Sequence, residues 1–285
     1  MNDFLHDLLR YGFLQTALIA GVLASVACGS VGALVVARRN SYIAGAIAHS
    51  VLGGMGVARW LDRVHGFTWA TPMVGALVAA LLAAVLIGIV GNSLKQRQDI
   101  LLSAIWSIGM AVGISFIAVT PGYQEDLMSY LFGNILLVSG HEIWLMLILN
   151  GVILMVLLLF YDRFLAISFH QELTRLRGIN TTSWELLLLV LVALTVVLLS
   201  QVVGLIMVIA LLTLPAATAL RLSSRLWTAM LIAGVLSLTC IVAGLAISYS
   251  PQLPAGATII QCAGVLYLAV VAVQAFPVGW RRNRL

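Results

Sequence analysis

The stretch SYIAGAIAHSVLGGMGVARWL, residues 41–61, decides how the chain folds. About 20 residues cross a bilayer as one helix, and up to Ala58 this run is apolar, small or weakly polar except for His49. An ionisable side chain at membrane depth is costly unless it has a partner or faces a cavity, which makes His49 a candidate functional residue. The alternative is a packing histidine, hydrogen-bonded to a neighbouring helix. Gly45, His49 and Gly53 recur at four-residue spacing and share one helix face. With Ala44, Ala46, Ala48, Gly54 and Gly56 around them, they leave the backbone bare. Such a face serves close helix packing, or a narrow groove into which the imidazole projects.

The rest of the chain is built the same way. Of 285 residues, 62% are hydrophobic and only 9% charged, and the mean hydropathy is +1.11. A soluble domain carries about 25% charged residues, so the composition specifies an all-α, polytopic membrane protein, read as one transmembrane domain over 1–285. The segment MNDFLHDLLR places Asp3 and Asp7 ahead of Arg10 and lacks a basic n-region, so the first apolar run is expected to be a retained span. Cys28, Cys240 and Cys262 all lie in apolar runs without CxxC spacing, which suggests neither a disulfide framework nor a zinc knuckle.

Nine spans are expected, near 12–36, 42–61, 69–92, 100–119, 142–161, 184–200, 204–220, 227–248 and 257–276. The shorter run at 127–138 reads as an interfacial or re-entrant segment. Only SQVVG divides the sixth span from the seventh; if the two merge or re-enter, the count falls to eight. With the N-terminus outside, twelve of the fifteen Lys and Arg residues fall on inner loops and only Arg10, Arg59 and Arg63 outside, as the positive-inside rule requires. The basic balance therefore reports topology and contact with anionic lipid, not nucleic-acid binding. Glu125 and Asp126 belong to an acidic outer face that also carries His65 and His141 and suits the approach of a cation.

Several functions are excluded or disfavoured by what is missing. The one lysine, Lys95, is in no GxxxxGK[ST] loop, so the chain has no P-loop for nucleotide. No acid stands near the middle of a span, which disfavours a self-sufficient proton- or sodium-coupled carrier. HEIWL, from His141, lacks the second histidine of a zinc-protease motif, and no GxSxG elbow appears. What remains is a path through the membrane, with energy supplied by another subunit.

Two further segments stand out. The longest inner loop, DRFLAISFHQELTRLRGINTTSWE, contains a short helical pattern at HQELTRLRG, closed by Gly178 as a C-cap. It presents Glu172, Arg175 and Arg177, either as a docking helix for a cytoplasmic partner or as an interfacial helix on lipid headgroups. In VGLIMVIALLTLPAATALR, Pro215 is expected to kink or break the seventh span.

Together these segments resemble the permease subunits of bacterial ABC importers for zinc and manganese. SYIAGAIAHSVLGG is similar to a second-span motif of the form SYxGDxxxHAxLxG. DLMSYLFGNIL, FHQELTRLRG, VGLIMVIALLTLPAATA and LPAGATIIQCAG resemble later segments in the same order. The resemblance implies a vitamin B12-type (type II) importer fold. It implies a second copy of the permease, two cytoplasmic ATPase subunits that carry the ATP, and an extracytoplasmic solute-binding protein, all at a bacterial inner membrane with the C-terminus cytoplasmic. The ATPases would grip the coupling segment at about 163–183, through His170, Glu172, Thr174, Arg175, Arg177 and Gly178. No permanently bound cofactor is implied; Zn²⁺ or Mn²⁺ is the cargo, and no enzymatic activity is expected of this chain.

The resemblance also assigns a metal role to an aspartate and a histidine four residues apart. The histidine is His49; at the aspartate's position stands Gly45. Without the carboxylate, a second His49 across a dimer axis, Cys28 or Met55 could complete a site, or the cargo is not a hard divalent ion. A metal chelate is the alternative cargo, and a stand-alone channel or secondary carrier the alternative class.

Overall fold

A computed structural model describes residues 7, 10–93, 98–121, 133, 135, 138–169, 171–249 and 253–275. Its helices are α1 Gly12–Ala37, α2 Ser41–His65, α3 Pro72–Ser93, α4 Gln98–Val119, α5 Gly140–Leu159, α6 Tyr161–Phe169, α7 Gln171–Leu176, α8 Thr181–Val203, α9 Leu205–Leu222, α10 Leu226–Tyr249 and α11 Ala255–Ala275. Among the described residues, nine of these are long and apolar enough to span a membrane; the short α6 and α7 are not.

The separation of α8 from α9 rests on one residue. Gly204 adopts φ 83°, ψ 157°, a conformation that only glycine reaches without strain. The two spans are therefore distinct, and the eight-span alternative falls. Of the kink or break expected at Pro215, the break does not occur: α9 runs unbroken through it. Pro215 is buried, and the same part of α9 packs on α1, where Gly32 lets the chain close on the Leu212 carbonyl. Packing holds the helix where propensity alone would end it. Of the run 127–138, only Gly133, Ile135 and Val138 are described. Ile135 is buried in the core, and Gly133 lies against the Val203–Gly204 turn.

Two helices form the centre. α1 packs on α10, α9, α5 and α8, while α2 packs on α4 and α3 and touches α8 and α9. α2 has the lowest hydropathy of the nine spans and the largest buried share, 78%, against 11% for α4. Lipid rejects a poorly apolar helix, so the bundle must enclose it. Glycine makes the enclosure possible. A Cβ on Gly54 would stand 2.1 Å from the Gly75 carbonyl oxygen of α3, and one on Gly53 2.7 Å from that of Gly109 in α4. The backbones therefore meet with no side chain between them.

Cross-helix contacts agree with nine alternating spans. The Asp7 carboxylate accepts a 2.6 Å hydrogen bond from the Tyr249 hydroxyl, joining two expected outer ends. Arg38 pairs with Glu185 at 2.8 Å, and Arg221 donates to Gln274 at 3.2 Å, each joining two inner ends. The start of α5 also explains the His141–Glu142 pair. Ser139 and Glu142 form a capping box, with Ser139 N donating to Oε2 at 2.7 Å and Glu142 N to Oγ at 3.3 Å. Glu142 thus starts a helix and takes no part in a protease motif.

Substituting Gly54→Ala places its methyl in the Gly75 backbone and should cost about 1–3 kcal/mol or more. Gly151→Ala, with nothing within 4 Å of its Cβ, should shift stability by less than about 0.5 kcal/mol. Thermal unfolding of the two variants in detergent checks the contrast.

Candidate functional site

His49 lies eight residues into α2 from its inner end, about 12 Å up the helix by its rise and so near mid-membrane. It is buried, 7% exposed, and its Nδ1 has no hydrogen-bond partner. The packing-histidine reading asks for a neighbour's carbonyl on a ring nitrogen, and at Nδ1 none is there. Its main neighbour is an aromatic face instead. The indole of Trp106, on α4, stacks on the imidazole with centroids 4.4 Å apart and planes 17° apart. The same indole covers Gly45, where a Cβ would lie 3.0 Å from its Cζ3. Gly45 and His49 do share one face, and that face meets α4.

α2 and α4 run parallel, and their seam continues outward through glycine. Gly53 meets Gly109, and Gly56 meets Gly113, where a Cβ would lie 2.6 Å from the carbonyl oxygen. On α4, Trp106, Gly109 and Gly113 face α2 at helical spacing. Cys28 is fully buried and Met55 nearly so. Among the described residues, no three His, Cys, Asp or Glu side chains gather to hold a metal. Within one chain in this packing, His49 therefore stands without a set of co-ligands. A separate groove of about 700 Å³ opens between α2, α3 and α4, lined by Gly53, Gly54, Val78, Leu82, Ile108 and neighbours. Its lining holds no ionisable side chain, so it suits hydrocarbon and not a cation.

The inner loop folds as two short helices. α6 buries Phe164 and Ile167, and the Trp184 ring of α8 packs on Phe160 and Phe164 at centroid distances of 5.0 and 6.2 Å. α7 ends as expected at Gly178, whose φ is 76° and whose N–H donates to the Arg175 carbonyl at 3.0 Å. Glu172, Arg175, Arg177 and Gly178 are exposed, whereas Thr174 turns inward and is buried. Thr174 therefore anchors α7 and presents nothing to a partner. Leu173 and Leu176 are exposed instead, Leu176 by 83%; a helix this short gives too little periodicity to reveal that face beforehand. His170, Glu125 and Asp126 lie outside the described residues.

Next to Trp184, Glu185 accepts from Arg38 at the α1–α2 turn, with side-chain exposures of 19% and 8%. A fixed link thus joins the α6–α8 corner to the turn that leads into α2. The sequence analysis missed Asn150 as well. It is buried at the middle of α5, and its Nδ2 donates to the Leu23 carbonyl of α1 at 3.2 Å. An asparagine inside LILNGVIL was the available signal.

Comparison with known proteins agrees with this architecture. The family model described as the ABC 3 transport family matches residues 10–274. An uncharacterised membrane protein of Synechocystis sp. is 42% identical over 273 residues, covering 95% of this chain and 94% of that one. The manganese import system permease protein ScaB of Streptococcus parasanguinis is 31% identical, covering 94% and 93%. Among solved structures, PsaBC from Streptococcus pneumoniae in complex with Fab superposes with a TM-score of 0.82 at 31% identity, covering 94% of each chain.

Removing one partner of the Arg38–Glu185 pair leaves a largely buried charge behind. Glu185→Gln should destabilise the protein by about 2–4 kcal/mol. Arg38→Met together with Glu185→Leu should recover most of that loss; thermal unfolding of the three variants measures it. On the fold, the order of spans and this match, the chain belongs to the ABC 3 transport family.

Proposed function

We propose that the chain is the membrane-spanning permease of an ATP-driven importer for a divalent transition metal, with His49 as the transient ligand on its path. The observation that carries this reading is an imidazole at mid-membrane whose Nδ1 is buried and unpartnered. A packing histidine would be hydrogen-bonded there, whereas a ligand needs a free nitrogen. Relatives named for manganese import support a metal cargo. Imidazole accepts either Zn²⁺ or Mn²⁺, with Zn²⁺ the better match for nitrogen.

In this reading two copies form the pathway at a bacterial inner membrane, with the N-terminus outside and the C-terminus cytoplasmic, as the charge bias directs. A solute-binding protein delivers the ion at the outer face, where Glu125 and Asp126 fall. Two ATPase subunits dock on the exposed side of α7, around Leu173, Leu176, Glu172 and Arg175. Leu173 and Leu176, exposed beside Glu172 and Arg175, supply the apolar part of that contact surface. ATP hydrolysis in those subunits moves α7. The motion passes through Trp184 and the Glu185–Arg38 pair to the turn before α2, and switches the bundle between outward- and inward-open packings. The chain itself breaks no bond.

His49→Ala, reconstituted with its ATPase and binding protein, should lose most Zn²⁺ or Mn²⁺ uptake at limiting metal. ATP hydrolysis should remain, because the docking helix is untouched. Undiminished uptake removes the ligand role. Uptake by the permease alone, without ATPase subunits, would mean a channel or carrier, and binding of only complexed metal by the solute-binding protein would mean a chelate cargo. Leu176→Asp should abolish co-purification with the ATPase while leaving the permease monodisperse in detergent. Retained co-purification would place the docking surface elsewhere.

A further inference from the structure

We propose that Cys240 and Cys262 together form a capture site for a thiophilic divalent cation, bridging α10 to α11 at a distance from His49. Hg²⁺ is the ion that fits it best. The site needs nothing from the transport reading.

Sequence spacing hides the pair; antiparallel packing makes it. Thr258 Oγ1 donates to the Gly244 carbonyl at 2.9 Å. A Cβ on Gly244 would lie 2.6 Å from the Ile259 Cα. These contacts fix the register of α10 against α11 and bring the two backbones together. Cys240 stands one turn before Gly244, and Cys262 one turn after Thr258, so each cysteine shares the contacting face of its helix. In antiparallel helices those two steps run the same way along the bundle. The cysteines therefore oppose each other one turn below the closest approach, and their thiols interact electrostatically. Cys240 is buried, 4% exposed, and Cys262 is partly buried. α10 and α11 are not among the helices packed around α2.

The chemistry of two sulfurs defines what the site accepts. Among the described residues, no third Cys, His, Asp or Glu joins them. Zn²⁺ asks for four ligands and finds two. Mn²⁺ prefers oxygen ligands, and no carboxylate is at hand. Hg²⁺ is satisfied by two thiolates in line. As it binds, each S–H gives its proton to solution and an S–Hg bond replaces it; nothing is oxidised or reduced. The charges close as well. Two thiolates neutralise a divalent ion, and a neutral complex is the state that hydrocarbon tolerates. A monovalent ion would leave a net negative charge. Cys262 lies about 10 Å along α11 from its start, by the helix rise, on a span with a buried share of only 22%. The pair is therefore reached from the lipid side. An ion held by two such bonds is retained, whereas a transport site must let go.

The test is metal retention by the purified, reduced full-length permease without ATPase. The protein is loaded with HgCl₂, challenged with excess glutathione, passed through gel filtration and analysed for mercury. The wild type and Cys28→Ala should each retain one ion per chain. Cys240→Ala and Cys262→Ala keep a single thiol of the pair, should bind about 100-fold more weakly or worse, and should give the ion up. Hg²⁺ should also raise the unfolding temperature of the wild type, as a ligand of the folded state does, and of neither variant. If Cys240→Ala does not fold, Cys262→Ala, at the less buried position, makes the comparison on its own. Excess Mn²⁺ should displace nothing. Release of mercury by the wild type, full retention by either single-thiol variant, loss of retention in Cys28→Ala, or displacement by Mn²⁺ each overturns the proposal. ATP-driven uptake by the assembled transporter can succeed or fail separately, and tests only the transport reading.

Discussion

Backbone contact along α2 is the constraint on which the rest of the molecule depends. This helix carries the imidazole and has the lowest hydropathy of the nine spans, so lipid is its least favourable environment. Enclosing it by ordinary side-chain packing would set its neighbours about 8–10 Å away, axis to axis. The glycines at 53, 54, 75 and 109 allow a closer approach on two sides at once. In a bilayer, where lipid tails compete with side chains for apolar contact, this close fit is what holds helices together. The large residues of α3, α4 and α5 are then free to face outward.

The inner ends of the bundle show a different economy of contacts. Arg38 and Glu185 sit where the membrane meets water, partly shielded, and join α1 to α8 beside the Trp184 cluster. An ion pair at that depth adds little net stability over apolar packing, but its breakage is costly. It therefore works as a link that stays made while the elements on either side move together. That is the property required between a docking helix and a transport helix. Asn150, bonded to the Leu23 carbonyl, ties α5 to α1 by the same logic at mid-membrane.

Much of the fold was legible because membrane physics is restrictive. Apolar run length gave nine spans, and lysine and arginine placement gave the alternation that the cross-helix contacts support. The SQVVG junction could be resolved only in three dimensions, because Gly204 makes a one-residue turn that hydropathy averages away. Pro215 does not break its helix, because packing against Gly32 overrides the local preference. At the candidate site, spacing placed Gly45 and His49 on one face, and the missing acid at 45 was visible as a departure. Trp106 was not visible: nothing in WSIGMAVG says which helix its ring will meet. The outward face of α7 was equally hidden: Thr174, which the resemblance placed in the coupling segment, is buried, and Leu176 is exposed.

The glycine at position 45 and the indole at 106 fit one another at the candidate site. Alone, loss of a carboxylate would leave a polar groove with one nitrogen and unfilled space, and empty volume beside a buried imidazole is unfavourable. A side chain at 45 would press on the indole, its Cβ 3.0 Å from Cζ3, and the ring would have to shift by a few tenths of an ångström. Together they fill the groove and leave His49 stacked. The stack provides contact energy without satisfying Nδ1. A cation bound in the ring plane then meets one nitrogen and no adjacent carboxylate, so the net affinity stays modest. Transport requires this, since an ion held too firmly at mid-membrane is not released.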